Sequence, residues 1–356
     1  MFKTVFAATA ALVITAIPTQ AQTCTRDGLK AIVANYFKAV ETHNMSALET
    51  APNLRITQNG SEIKLGEGFF KTGGKSQFQR TLIDTERCGT LTQAVIDETP
   101  DPNAPAPAGR GGARGAAGPR GALPGGGAVG GGGAAPGAAG PAGGAPGGAG
   151  TAPGGAPGAG PAGPRQGGPG GAPAGARGGL PAAAPYTGPA VIVAVRLKVD
   201  KVKVSEIETI VNRQGELFFS PPGVLATKDQ DWEGILPPAQ RSTREYMNDA
   251  ANKYFSGFSP NPEVEAPFAT PCDRWEGGVS TTTTTHNCSP KGFNMTHTHR
   301  RFPVTDVEAG ITAGFVNFNG GLPDVHMFKI RNGKIEMIQA VFGGNAQGAI
   351  WPDETK

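Results

Sequence analysis

From Pro102 to Tyr186 the sequence is almost wholly Gly, Ala and Pro, and Leu123, Val129 and Leu180 are its only large aliphatic residues. Such a stretch carries too little apolar surface to offset the roughly 1–2 kcal/mol per residue that ordering a backbone costs. Residues 99–188 therefore read as a disordered insertion, and glycine does not recur at every third position as a collagen helix requires. Strand-like, β-branched sequence resumes directly afterwards, from Ala190 to Val199 and Val202 to Val211, with another short strand expected at Leu217 to Phe219. A new domain would open with a fresh helix, so the tract interrupts a domain instead of separating two. The expected organisation is a first α+β domain in two parts, 22–98 and 189–235, followed by a second over 236–356.

The tract also settles what the charge means. Its five arginines (Arg110, Arg114, Arg120, Arg165, Arg177) stand among no acidic residues and exceed the whole net charge of +3, leaving −2 on the rest. Nucleic-acid binding by the folded part gains no support from that balance. Ahead of the first domain, Lys3, an apolar run from Val5 to Ile17 and small residues up to Ala21 form a secretory signal over residues 1–21, too short for a membrane span. A secreted, extracellular protein without a membrane span is expected. In that compartment four cysteines imply two disulfides, and pairing inside each domain gives Cys24 with Cys88 and Cys272 with Cys288. Sequons at Asn44, Asn59, Asn287 and Asn294 suit the same compartment.

Each domain opens on a capped amphipathic helix. Thr25 or Asp27 precedes Leu29, Ile32, Val33, Tyr36, Phe37 and Val40, and Ser242 or Thr243 precedes Tyr246, Met247, Ala250, Tyr254 and Phe255. Tyr36-Phe37 and Tyr254-Phe255 occupy matching places, the mark of an internal repeat. Laying Gly215 on Gly333 aligns the segment from Ile207 with that from Val325, and puts Glu208 at the position of His326.

The sharpest local signal is Asn332-Gly333 between two apolar runs, a type I′ hairpin turn. Counting back from a two-residue turn sets Ile330 against Ile335, Lys329 against Glu336, Phe328 against Met337 and His326 against Gln339. One face then carries Phe328, Ile330, Ile335, Met337 and Val341, together with the polar pair His326 and Gln339. The other, bearing Lys329, Arg331, Lys334 and Glu336, reads as the wetter side. A polar pair on an apolar face can floor a pocket, where a His accepts or gives a proton near neutral pH. His326 and Asp306 are the candidate catalytic residues. Gln339, Arg300, Arg301, Phe328, Met337 and Glu208 are the candidate substrate-binding residues, with the two arginines at the rim.

His297 and His299 share a strand face, but two ligands do not make a zinc site and no HExxH completes one. GxSxG, P-loop and GxGxxG signatures are also missing outside the tract, so neither metal nor cofactor is expected. Trp275 reads as part of a loop pinned by a disulfide, and Thr281 to Thr285 as a solvent-facing loop.

A helical hairpin leading into a curved antiparallel sheet resembles the cone-shaped fold of nuclear transport factor 2, shared with ketosteroid isomerase, scytalone dehydratase and polyketide cyclases. A closer resemblance is to a fungal secreted family catalogued as domain of unknown function 8021. It is carried by Cys24, Cys88, Cys272-Asp273-Arg274-Trp275-Glu276-Gly277, Cys288, and Arg300-Arg301-Phe302-Pro303-Val304 leading into Asp306, Glu308 and Gly310. The family implies no activity. The resemblance to the cone fold implies two tandem cone-like α+β domains with a pocket in the second for a small apolar or aromatic molecule, and cofactor-free proton transfer as its chemistry. The rival expectation is a non-catalytic cell-wall or surface interaction protein with the tract as a spacer.

Overall fold

The computed structural model describes residues 24–99, 186–259, 261–295, 297–319 and 321–344. Residues 1–23, where a signal sequence was expected, the Gly/Ala/Pro tract and residues 345–356 lie outside them.

Helix α1 spans Arg26–Thr42 and α2 spans Arg244–Ser256; the threonine before each accepts a hydrogen bond from the first turn, Thr25 from Gly28 N–H and Thr243 from Tyr246 N–H. Each cap supplies an acceptor that the first helical turn otherwise lacks. Thr243→Ala should therefore lower stability by about 1 kcal/mol in urea unfolding. An unchanged midpoint would show that the helix start is held by its other contacts.

The strands are β1 Thr50–Gln58, β2 Ser61–Glu62, β3 Gly73–Asp84, β4 Gly89–Glu98, β5 Ala190–Asp200 and β6 Lys203–Asn212, then β7 Phe268–Glu276, β8 Val279–Ser280, β9 His297–Asp306, β10 Ile311–Phe318, β11 Leu322–Arg331 and β12 Lys334–Phe342. They form two six-stranded sheets of one topology, β2-β1-β6-β5-β4-β3 and β8-β7-β12-β11-β10-β9. The sheets are mixed, not purely antiparallel as expected, because β1 runs parallel to β6 and β7 parallel to β12. One long helix leads each half where a helical hairpin was expected. Leu217 to Phe219 forms no strand, since Phe218 adopts a positive φ of 53°. Both expected disulfides form, Cys24–Cys88 and Cys272–Cys288.

Three apolar clusters arrange these parts in four layers. Val33, Tyr36, Phe37 and Val40 of α1 pack on one face of the first sheet with Val193, Val195 and Ile207. Met247, Tyr254 and Phe255 of α2 pack on the second sheet with Phe328, Ile330 and Ile338. The remaining faces meet each other, Leu82, Leu91, Ile192 and Ile210 against Val304, Phe315, Met327 and Val341. The face read as wet in sequence is thus the sheet-to-sheet interface, and Lys329 on it is fully buried.

The hairpin at Asn332-Gly333 forms with both residues at positive φ, 50° and 70°. Ile330 pairs with Ile335, but a bulge follows and Lys329 then pairs with Met337, Phe328 with Ile338, Met327 with Gln339 and His326 with Ala340. One extra residue reverses every side chain beyond it. Gln339 and Met337 consequently face the other sheet, on the opposite side from His326 and Phe328.

The same bulge appears in the first half, between Lys198 and Val199, behind a turn at Lys201-Val202 whose φ values are 48° and 72°. Lys201-Val202 is therefore the structural counterpart of Asn332-Gly333, and β5–β6 of β11–β12. Counted from these turns, Glu208 corresponds to Gln339, while His326 corresponds to Val195. The alignment through Gly215 fails because no strand follows that glycine.

The halves are joined by a reciprocal pair of ion pairs. Arg26, the first residue of α1, grips Asp306 at the end of β9, and Arg244, the first residue of α2, grips Asp84 at the end of β3 with contacts of 2.7 and 2.8 Å. Backbone amides complete the exchange: Ile83 N–H donates to Asp306 and Thr305 N–H to Asp84, each at 2.9 Å.

Candidate functional site

His326 lies on β11 under α2, fully buried, and ringed by aromatic side chains. Phe328 stacks on it at 5.9 Å, and Tyr254, Phe255, Phe318 and Phe342 approach at 5.3, 5.3, 6.2 and 6.0 Å. The alternation of a strand sets Asp324 on the same side, and its carboxylate comes within 3.1 Å of His326 Nδ1. That approach is close but poorly aligned, so neither Asp324 oxygen has a well-formed hydrogen bond.

A polar chain continues from the ring's other nitrogen. Tyr254 Oη lies 3.4 Å from His326 Nε2, and Arg274 Nη1 donates to Tyr254 Oη at 3.2 Å. Arg274 Nε donates to Thr281 Oγ1 at 2.9 Å and stands 3.7 Å from Glu276. Because Arg274 can only donate, Tyr254 Oη accepts from it and is free to donate to Nε2, which leaves the imidazole proton on Nδ1, toward Asp324. Arg274, Tyr254 and His326 thus form one directional relay that points its last proton at Asp324, 3.1 Å away without a formed hydrogen bond.

Burial pushes the Asp324 carboxyl up to about 6, and His326 restrains the rise. Burial also raises the Tyr254 phenol. Around Arg274 burial opposes the charge, but Tyr254 and Glu276 carry its pKa above the ordinary value. The resting arrangement is a carboxyl that titrates near neutrality beside an imidazole, in dry surroundings that strengthen each charge interaction.

The other candidate residues are distributed elsewhere. Asp306 belongs to the Arg26 ion pair, and its rung of the sheet (Ile311) is three residues from that of His326 (Gly314), roughly 10 Å along the strand. Arg300 and Arg301 leave opposite faces of β9: Arg300 reaches Asn252 and Ser256 on α2, whereas Arg301 crosses between the sheets to Glu208 at 2.7 Å and lies 4.9 Å over the Phe315 ring. Glu208 is held there by Arg196 as well. Gln339 donates to Gln230 at 3.2 Å in that same inter-sheet layer. The expected pocket of His326, Asp306, Gln339 and the two arginines is therefore not assembled; only Phe328 accompanies His326.

The partners that do assemble carried a readable signal. Asp324-Val325-His326 alternates along one strand, and Arg274 and Glu276 alternate along β7, which is a strand and not a loop. Thr282, taken as solvent-facing, is buried and accepts from Arg274 N–H. Of the sequons, Asn44, Asn287 and Asn294 are exposed, while the Asn59 side chain is tied to Val211 through both its amide atoms. The His299 side chain lies outside the described residues. Among the described residues no group of three or more His, Cys, Asp or Glu is placed to hold a metal ion, and no helix is long and apolar enough to cross a membrane.

The first half shows what the fold needs at these positions. The counterparts of Asp324, His326 and Arg274 are Val193, Val195 and Ile56, all buried, under the tyrosine Tyr36 that matches Tyr254. One copy of the topology fills the space with aliphatic side chains and the other with a charged relay.

Residues 240–342, the second half, match the family model described as Domain of unknown function (DUF8021). No curated protein and no solved structure matches the chain.

Proposed function

We propose that the second half holds a small-molecule site centred on Asp324 and His326, for an apolar or aromatic compound with one exchangeable proton, and that its chemistry is cofactor-free proton transfer in a dehydration or isomerisation. Each half is, on this reading, a cone-like unit of the nuclear-transport-factor-2 type, in a secreted protein. One observation carries the proposal: Val193, Val195 and Ile56 do the structural work of the same positions in the first half without any charge. Buried ionisable groups cost several kcal/mol unless fully paired, and Asp324 is not fully paired. Retaining them where valine suffices points to chemistry. Asp324 would take the proton, His326 and Tyr254 would hold and pass it, and the surrounding Phe side chains would exclude water. Ligand access requires the ring of aromatic side chains around His326 to part, since His326 is fully buried and a surface groove of about 210 Å³ beside Lys253 and Phe268 does not include it.

The full burial of His326 favours a second reading, a non-catalytic extracellular interaction protein in which the relay is architecture. Asp324→Val with His326→Val, which installs the residues of the first half, separates the two. On the site reading the double variant folds, equals or exceeds the parent in stability, and loses every compound that raised the parent's Tm in a screen of apolar and aromatic carbonyl compounds. His326→Gln should lose turnover and keep binding. A double variant that keeps all its ligands would sink the proposal.

A further inference from the structure

The inter-sheet layer contains a second cluster of polar side chains, gathered around Trp232. This tryptophan is the single fully buried residue of an otherwise exposed or half-buried loop, residues 228–235. Arg80, buried on β3, lies 5.1 Å over the indole and also 5.1 Å over the Phe78 ring. Its guanidinium donates to the Thr227 carbonyl at 2.7 Å, to Thr227 Oγ1 at 3.1 Å and to Gln93 Oε1 at 3.0 Å. Lys329, fully buried on β11, donates to the Trp232 carbonyl at 3.1 Å and to the Ala309 carbonyl at 2.8 Å. Gln230 Oε1 collects the indole N–H at 2.9 Å and the Gln339 amide at 3.2 Å.

Two features of this cluster are costly for a purely structural core. Two cations are buried with carbonyl, amide and hydroxyl acceptors but without a paired carboxylate, and burial pushes both toward the neutral form, Arg80 to about 10. Two fully buried amide atoms, Gln93 Nε2 and Gln339 Oε1, lack any hydrogen-bond partner. Each such group bears the desolvation cost of a hydrogen bond left unmade. The loop supplies one of the two acceptors of Lys329, the Trp232 carbonyl, while Arg80 is satisfied by Gln93 and by Thr227, which is anchored to the Val224 carbonyl through both its amide and its hydroxyl. The loop is held by Thr81 N–H on Glu233, Arg331 on Asp231 at 3.4 Å, Gln339 on Gln230, Lys329 on the Trp232 carbonyl and the Leu236 N–H on the Glu308 carbonyl.

We infer that the space between the sheets is a binding site for a planar aromatic carboxylate, occupied in this structure by the indole of Trp232 as an internal stand-in. The ligand's ring takes the place of the indole beneath Arg80. Its carboxylate replaces the Trp232 carbonyl that leaves with the loop, and so meets Lys329. A ring substituent that accepts and donates engages Gln93 Nε2 and Gln339 Oε1. The charge requirement follows from the geometry: withdrawing the loop strips one of its two acceptors from the buried Lys329, and a neutral aromatic does not restore it. The site faces away from His326 and is independent of the relay beneath α2.

The test uses the full chain with Trp232→Ala and two probes, indole-3-acetate and indole, followed by calorimetric titration. The variant should bind indole-3-acetate at least tenfold more tightly than indole and more tightly than the parent protein does. Adding Lys329→Met should remove the preference between the probes. Equal affinity for both probes would mean a simple apolar cavity and overturn the inference, as would no binding of either. Should Trp232→Ala fail to fold, Glu233→Gln loosens the loop and leaves the hydrogen bonds of Arg80 and Lys329 in place, while removing a carboxylate that supports the Arg80 charge. That variant should bind indole-3-acetate several-fold more tightly than the parent, and an unchanged affinity rejects the site.

Discussion

Arg244→Ala should cost on the order of 3–5 kcal/mol of stability, the usual penalty for stripping one partner from a buried ion pair. Asp84 is fully buried, and the substitution removes both guanidinium contacts from its oxygens while also releasing Glu86. Three backbone amides, those of Thr305, Glu86 and Arg87, would still donate to the carboxylate, which places the loss toward the lower end. Arg26→Ala should cost less, because Arg26 is more exposed and its partner Asp306 keeps the Ile83 and Ala309 amides. Urea unfolding decides it. A loss below about 1 kcal/mol for Arg244→Ala would mean that Asp84 protonates or is reached by water, and that the reciprocal pairs do not hold the halves together.

The second large effect is a pH dependence with its sign set by Asp324. Its pKa is raised in the folded protein from 3.8 to about 6. Below pH 4 folded and unfolded chains both keep this proton, and Asp324 contributes nothing to the slope. Between about pH 4 and 6 the unfolded chain has released the proton and the folded one still holds it, so stability falls as pH rises. Above 6 the loss is complete, ~3 kcal/mol at about 1.4 kcal/mol per pH unit. Asp324→Asn removes this titration and leaves the others. The stability of the parent relative to Asp324→Asn should therefore decline from pH 4 to 6 and then level off. A difference that is flat across that window would show that the carboxyl is not desolvated, and the relay would lose its acid.

How far these features could be read in advance varied with the distance over which they are encoded. The caps at Thr25 and Thr243, the Asn332-Gly333 turn and both disulfides depend on local sequence or on how the cysteines divide between the two halves, and each appears as expected. The repeat was visible in Tyr36-Phe37 and Tyr254-Phe255, although its register was not. The bulge at Lys329 leaves no mark in an alternating sequence, and one uncounted residue moved Gln339 and Met337 to the wrong face. The parallel pairing of β1 with β6 and of β7 with β12 joins segments far apart, and the burial of Lys329 needs a second sheet that no window of sequence reveals. Strand β3 carries Arg80 where an aliphatic residue would announce a strand. Asp324 stands two residues before His326, the spacing at which a strand puts both side chains on one face.

Strands β4 and β5 pair along their whole length, with Asp97 opposite Ala190 and Glu98 N–H donating to the Pro189 carbonyl at 2.9 Å. The chain therefore leaves and re-enters the first sheet at a single rung, where the second half spans the corresponding gap between Phe318 and Leu322. A gap closed at one rung is an insertion port. Its closure entropy rises by only about 0.6 kcal/mol for each doubling of length, so what is threaded through it can be shortened, extended or exchanged for a foreign domain while both sheets keep their register.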